Sequence, residues 1–169
     1  VCTPASRVYL SLGANLGNRV TFLNRAMEAL DALDEVTVLR RSPIYESEPW
    51  GLTEQPKFLN MVVEIETSFD PFELLETVKL LEQRLGRQSA PRWGPRCIDI
   101  DLILWGDTML HTPGLAIPHE RFRERAFVLT PLADLVPEAV DPETGTTIAV
   151  LASRLGSAGV ARYTEYVQS

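Results

Sequence analysis

Cysteine is nearly absent from the chain. Cys2 and Cys97 are the only two in 169 residues, which excludes a disulfide framework and a zinc site built on paired cysteines. Lysine is just as scarce: of sixteen basic side chains only Lys57 and Lys79 are lysines, and the rest are arginine. No apolar run approaches the roughly 20 residues that a membrane helix needs. The start, VCTPASRVYLSLGA, lacks the basic segment, apolar stretch and cleavage site of a signal peptide, so a cytoplasmic protein with no membrane partner is expected. A net charge of −7 argues against a nucleic-acid partner, because phosphate backbones are held by clustered positive charge. Several motifs are missing too: the G-x-x-x-x-G-K-[ST] phosphate loop, the dinucleotide fingerprint G-x-G-x-x-G, G-x-S-x-G and C-x-x-C. Phosphate, if bound, must therefore be held by metal and arginine, and nothing suggests covalent catalysis.

What is present is an ordinary globular composition, 45% hydrophobic and 23% charged, enough for one domain with its own core. Residues 7–13 alternate as a strand. Residues 19–33 carry Val20, Leu23, Met27, Leu30 and Leu33 on one helical face. A second strand spans 36–46 with a break or bulge near Ser42-Pro43. A loop covers 47–56, and a third strand spans 57–67. Asp70, Pro71 and Glu73 spell a capping box with proline in the first turn, opening a helix that Gly86 closes. A polar loop over 86–96 leads to a strand over 98–105. The order β-α-β-β-α-β predicts an α+β fold: a ferredoxin-like sandwich with an antiparallel sheet and both helices on one face. A short strand near 115–118 and helices near 126–135 and 146–155 complete a single domain over 1–169. No spare apolar stripe demands a second copy, so a monomer is expected.

The unusual stretch is PRWGPRCIDIDLILWGD, residues 91–107. Ile98, Ile100, Leu102 and Leu104 alternate with Asp99, Asp101, Ile103 and Trp105. Strand side chains alternate faces, so both aspartates point the same way, about 6.5–7 Å apart. Charge on an otherwise apolar face needs a cation, an arginine or water. Such a pair facing a pocket could hold one or two Mg²⁺, or it could be a salt-bridged pair on a half-exposed strand. Seven of the sixteen basic residues lie between 84 and 125, all arginine, the residue suited to bidentate phosphate recognition. Arg92, Trp93 and Arg96 sit in the loop before the aspartates. His119 precedes Arg121, Arg123 and Arg125. Positive neighbours disfavour its protonated form, which fits a phosphate donor better than a base.

YLSLGANLGNR, SPIYESEPWG, QPKFLNMVVEIET, RWGPRCIDIDLIL and IPHERFRERAFVLTPLADL occur in this order. Together, over residues 8–137, they resemble the 6-hydroxymethyl-7,8-dihydropterin pyrophosphokinases, HPPK enzymes of folate biosynthesis. The resemblance leaves 138–169 as a C-terminal extension of the same domain. It implies pyrophosphate transfer from ATP to the hydroxymethyl group of 6-hydroxymethyl-7,8-dihydropterin, giving AMP. It further implies two Mg²⁺ on Asp99 and Asp101, and a pterin site of Gly13, Ser47, Pro49, Trp50, Phe58, Asn60 and Phe127. The ATP side and closing loop would comprise Glu82, Arg87, Trp93, Arg96, Ile103, His119 and Arg125. Of these, Arg87, Trp93 and Arg96 would join the two aspartates in catalysis. The chain departs from the family pattern at several places. Phe58 stands for a tyrosine, Gln88-Ser89 fill a loop that is one residue short and lacks an arginine, and Lys79 stands for a polar amide. Gly114 and Ala116 replace an arginine and a threonine, a loss for which Arg121 and Arg123 could compensate. The rival readings are a metal-dependent nucleotidyltransferase, which would release pyrophosphate, and a non-catalytic ferredoxin-like binding domain.

Overall fold

The structure, a computed structural model, describes residues 6–49, 56–86 and 98–164. The expected site residues Trp50, Arg87, Trp93 and Arg96 lie outside the described residues. The elements run β1 (Ser6–Ala14), α1 (Arg19–Asp31), β2 (Val36–Arg41), β3 (Tyr45–Ser47), β4 (Phe58–Thr67), α2 (Pro71–Arg84) and β5 (Asp99–Trp105). Then come β6 (Leu110–Thr112), β7 (Leu115–Ile117), a 3₁₀ turn (Phe122–Glu124), α3 (Ala126–Leu135), α4 (Ile148–Leu155) and β8 (Val160–Arg162). The main sheet is antiparallel, in the order β5-β1-β4-β3-β8, with β2 also pairing β4. This is the α+β sandwich expected from the order of elements.

Local chemistry sets the boundaries. Asn18 caps α1 by accepting from the Thr21 amide at 3.1 Å. At α2 the Glu73 amide donates to Asp70 Oδ1 at 2.8 Å and the Asp70 amide to Glu73 Oε1 at 3.1 Å, so the capping box forms as read. The strand expected over 36–46 divides into β2 and β3 because Pro43 has no N–H for the ladder. Ser42 bridges the gap. Its amide donates to the Val62 carbonyl at 2.8 Å, and the Val62 amide donates to Ser42 Oγ at 2.9 Å.

Each face of the sheet has its own core. Val8, Leu10, Leu12, Met61, Val63, Ile65, Ile100 and Leu102 are buried under α1 and α2 through Leu23, Leu30, Leu74 and Val78. On the opposite face Val62, Ile103 and Leu104 pack with Phe122, Val128, Leu129, Leu132 and Ile148. One expectation fails along β5. The pairing with β1 shifts register between Tyr9 and Leu10, leaving Ile103 as an extra residue. Such a bulge breaks strict alternation. Leu104 therefore joins Ile103 in the second core, and Trp105 lands in the first.

Three short strands depart from the sequence reading. Ser47, expected in a loop, ends β3. His111, expected in a turn, lies in β6, which pairs with β7. The segment after α4 adds β8 to the edge of β3. Among the described residues no helix is long and apolar enough to cross a membrane.

Candidate active site

Strand register assembles the site. Asp99 pairs with Gly13, Gly13 with Asn60, and Asn60 with Tyr45. Residues directly opposite in antiparallel strands share a face, so these four form one row across β5, β1, β4 and β3. The next row holds Asp101, Ser11 and Val62. Adjacent strands lie about 4.7–4.9 Å apart, which sets Asp99 and Asn60 about 10 Å apart. α3 and α4 cover the Val62–Ile103 end of this face, and its other end carries polar groups. There Asn60 Nδ2 donates to Ser47 Oγ at 2.7 Å, and both side chains are buried. Phe58 begins β4 two residues before Asn60 and pairs with Ser47. A Cβ on Gly13 would stand 3.3 Å from Asn60 Oδ1 and 3.8 Å from Phe58 Cδ1. Glycine thus lets this amide and ring close on the strand. Pro49 follows β3, half-buried.

Asp99 and Asp101 are half-buried on that face, at the edge strand β5. Among the described residues no group of three or more His, Cys, Asp or Glu side chains is gathered to hold a metal. The donor set is two carboxylates and nothing softer. That suits Mg²⁺, which takes one or two carboxylates and completes its octahedron with water and substrate phosphate. Glu82 lies behind the strand, 1% exposed. Its Oε1 accepts from the Ile100 amide at 3.1 Å and pairs with Lys79 Nζ at 3.3 Å. It fixes the β5 edge next to the aspartates.

A cleft of about 380 Å³ opens along this edge. Leu75, Ile100, Leu102 and Leu115 give it apolar walls, while Asp101, Lys79, His119, Arg121 and Arg125 give it charge and donors. The His119 amide donates to the Ile103 carbonyl at 3.0 Å, which seats the imidazole. Ile103 itself is buried in the second core, so its backbone rather than its side chain serves the cleft. The His119 pKa is pushed down to about 4, first by burial, then by Arg125 and Arg121. Burial thus outweighs the positive neighbours that the sequence pointed to. The ring is neutral at pH 7. Its Nδ1 accepts from the Arg121 amide at 3.1 Å, so its proton is assigned to Nε2, a donor and not a base. Arg125 Nε is buried with no hydrogen-bond partner. A buried donor on a cleft wall is costly until an acceptor arrives. The Arg125 guanidinium lies 5.7 Å from the Phe127 ring centre, which packs at the margin of the second core.

The arginines at alternate positions separate. Arg121 and Arg125 line the cleft. Arg123, offered by the sequence as a possible phosphate ligand, turns to Asp141 with bonds of 2.5 and 2.9 Å and to Glu143 at 3.1 Å. It is structural. Sequence reasoning passed over Ser11, buried opposite Asp101. Its signal was available: it stands two residues before Gly13, on the same strand face. Sequence reasoning also passed over Arg19, whose Nη1 donates to Glu46 Oε2 at 3.0 Å and to the Lys57 carbonyl at 2.8 Å. That bond ties β3 to the start of β4, where Ser47 and Phe58 stand.

Comparison with known proteins adds relatives. Residues 9–137 match the family model described as 7,8-dihydro-6-hydroxymethylpterin-pyrophosphokinase (HPPK). The chain is 46% identical over 140 residues to the 2-amino-4-hydroxy-6-hydroxymethyldihydropteridine pyrophosphokinase of Bacillus subtilis, covering 80% of this chain and 84% of that one. It is 44% identical over 142 residues to the folic acid synthesis protein fol1 of Pneumocystis carinii, covering 84% of this chain but 19% of that longer one. Among solved structures, an HPPK-DHPS in complex with substrates matches with a TM-score of 0.78 at 15% identity, over 95% of this chain. The chain spans about half the length of that structure, 48%, and at this identity the likeness speaks for the fold.

Proposed function

The chain belongs to the 7,8-dihydro-6-hydroxymethylpterin-pyrophosphokinase family, and from that premise we propose how its own residues carry out pyrophosphate transfer in folate biosynthesis. The donor is ATP and the acceptor is 6-hydroxymethyl-7,8-dihydropterin. The hydroxymethyl oxygen attacks the β-phosphorus, the bond from that phosphorus to the α,β-bridging oxygen breaks, and AMP leaves. The β- and γ-phosphates stay joined on the pterin, and the hydroxyl proton passes to solvent. The single observation that supports this reading best is the row Asp99–Gly13–Asn60. It sets a carboxylate pair about 10 Å from a buried amide on one sheet face, a span suited to a flat ring with a reactive arm.

Asn60, held by Ser47, hydrogen-bonds the ring edge. Gly13 lets the ring approach the strand, Phe58 and Phe127 offer aromatic faces, and Pro49 bounds the pocket, to which the resemblance adds Trp50, outside the described residues. The triphosphate enters the neighbouring cleft. There the neutral His119 donates through Nε2 and Arg125 offers its unpartnered Nε, while Glu82 and the Ile103 carbonyl hold the wall in place. The resemblance adds Arg87, Trp93 and Arg96, which lie outside the described residues, to the groups that bind and activate the triphosphate. Two Mg²⁺ on Asp99 and Asp101, when bound, would neutralise phosphate charge and lower the pKa of the attacking hydroxyl. Transfer of this kind rests on positioning and charge neutralisation, which these side chains supply without a dedicated base. The reading takes the protein as a cytoplasmic monomer.

The test is to incubate the protein with ATP, MgCl₂ and the pterin and to separate the nucleotides. AMP that forms only with pterin and Mg²⁺ present supports the reading. Pyrophosphate release with a nucleotidylated product would favour a nucleotidyltransferase, and binding without turnover a non-catalytic domain. A sharper check falls on the pterin side. Gly13→Ala places a methyl 3.3 Å from Asn60 Oδ1, which the amide can relieve only by moving. The expected outcome is a pterin KM raised about tenfold, near 1.4 kcal/mol, with the ATP KM unchanged. A pterin KM within twofold of the original would mean that this strand does not face the ring.

A further inference from the structure

Among the described residues that line the cleft, Arg121 is a cation that the roles above leave unused, and we infer that it is a further ligand of the nucleotide's β- and γ-phosphates. The inference rests on the ATP reading and deepens it. Arg123, two residues on, is consumed by Asp141 and Glu143. Lys79 is drawn to the buried Glu82 at 3.3 Å. Arg121 lines the cleft and is exposed, with no salt bridge to any described carboxylate among those formed. Its position is not loose. Its own amide donates to His119 Nδ1 at 3.1 Å, so the guanidinium arm springs from the residue that sets the imidazole's tautomer.

The hairpin side of the cleft supplies no cation of its own. The β6–β7 hairpin brings Gly114 and Ala116 to the cleft, and neither carries a charge. A Cβ at Gly114 would meet nothing within 4 Å, so that side is open space that a phosphate chain can occupy without a cation from the hairpin. Among the described lining residues the cations are Lys79, Arg121 and Arg125, against the carboxylates Asp101 and Glu120. Without Arg121 the charged side chains among these described lining residues are equal in number, two against two, so Arg121 is the one that gives this wall a positive excess. A planar guanidinium is the group suited to paired phosphate oxygens.

The experiment compares wild type, Arg121→Ala, Arg121→Lys and Arg123→Gln by calorimetry, titrating Mg²⁺ with α,β-methylene-ATP and, separately, with AMP. Arg121→Ala is expected to weaken α,β-methylene-ATP about tenfold while AMP binding stays within twofold, since AMP lacks the outer phosphates. Arg121→Lys is expected to recover part of the loss. Arg123→Gln is expected to lower Tm and leave both affinities unchanged. Equal weakening of both nucleotides by Arg121→Ala would mean that the substitution disturbs His119 instead, and would overturn the inference. So would unchanged affinity for both. A wild-type protein that binds no α,β-methylene-ATP would instead bring down the ATP reading itself, and this inference with it.

Discussion

Asp101→Asn is expected to lower the rate of AMP formation at least about a thousandfold, and Asp99→Asn to do the same. A thousandfold loss is about 4 kcal/mol of transition-state stabilisation. The size follows from the donor set. The two carboxylates lie on one face of an edge strand, and among the described residues no third acidic side chain joins them to form a metal cluster. Loss of either carboxylate charge halves what the protein offers a hard cation. Asparagine keeps the volume and a hydrogen-bonding oxygen, so the strand survives. Ile100 and Leu102, which anchor β5 in the core, are untouched, and the expected change in Tm is about 2 °C or less. Turnover measured at saturating Mg²⁺, beside a melting curve, checks both halves. Near-normal turnover in either variant would make the pair structural.

The second large effect concerns stability, at the turn that leads into α4. Asp141 is 0% exposed. Its carboxylate accepts from Arg123 Nε and Nη2, from Thr144 Oγ1 at 2.8 Å and from the Glu143 amide at 3.1 Å. Asp141→Ala takes from the partly buried Arg123 guanidinium its fully buried partner, leaves it Glu143 alone, and releases the 141–147 turn that leads into α4. Breaking a buried pair from one side costs about 3–5 kcal/mol, which for a chain of this size lowers Tm by roughly 10 °C. The pH dependence has a definite sign. Burial alone would raise the Asp141 pKa, but the bonds from Arg123, Thr144 and the Glu143 amide hold it below the ordinary carboxylate range. A depressed folded-state pKa contributes stability above the unfolded value, near 3.9, and loses it as pH falls through the folded one. Wild type is therefore expected to lose more stability than Asp141→Ala on acidification below about pH 4. Parallel curves for the two proteins, or a Tm within 2 °C at neutral pH, would contradict this.

The aspartate pair was legible because strand alternation is local: two residues apart means one face wherever the ladder is unbroken, as it is from Asp99 to Asp101. The capping box at Asp70 and the break at Pro43 were legible for the same reason. The bulge at Ile103 was not, because it arises from pairing with β1 at Tyr9–Leu10, ninety residues away in sequence. β8 was hidden because Val160–Arg162 has no apolar alternation of its own and becomes a strand by pairing with β3. The arginine cluster shows the boundary most clearly. Sequence could put Arg121, Arg123 and Arg125 near His119, but only the fold brings Asp141 up to claim the middle one. The row joining Asp99 to Asn60 likewise needed register between strands, which composition and spacing do not carry.

The most direct test of the account follows the phosphorus atoms. Two parallel reactions with the pterin and Mg²⁺, one containing ATP labelled at the β-phosphorus and the other at the γ-phosphorus, are resolved by chromatography. The account predicts that both labels arrive on the pterin in equal amount while AMP carries neither. A pterin that receives only the γ-label, with labelled ADP left behind from the β reaction, would mean single phosphoryl transfer. Free labelled pyrophosphate with an unlabelled pterin would mean nucleotidyl transfer. Either would contradict attack at the β-phosphorus beside Asp99 and Asp101.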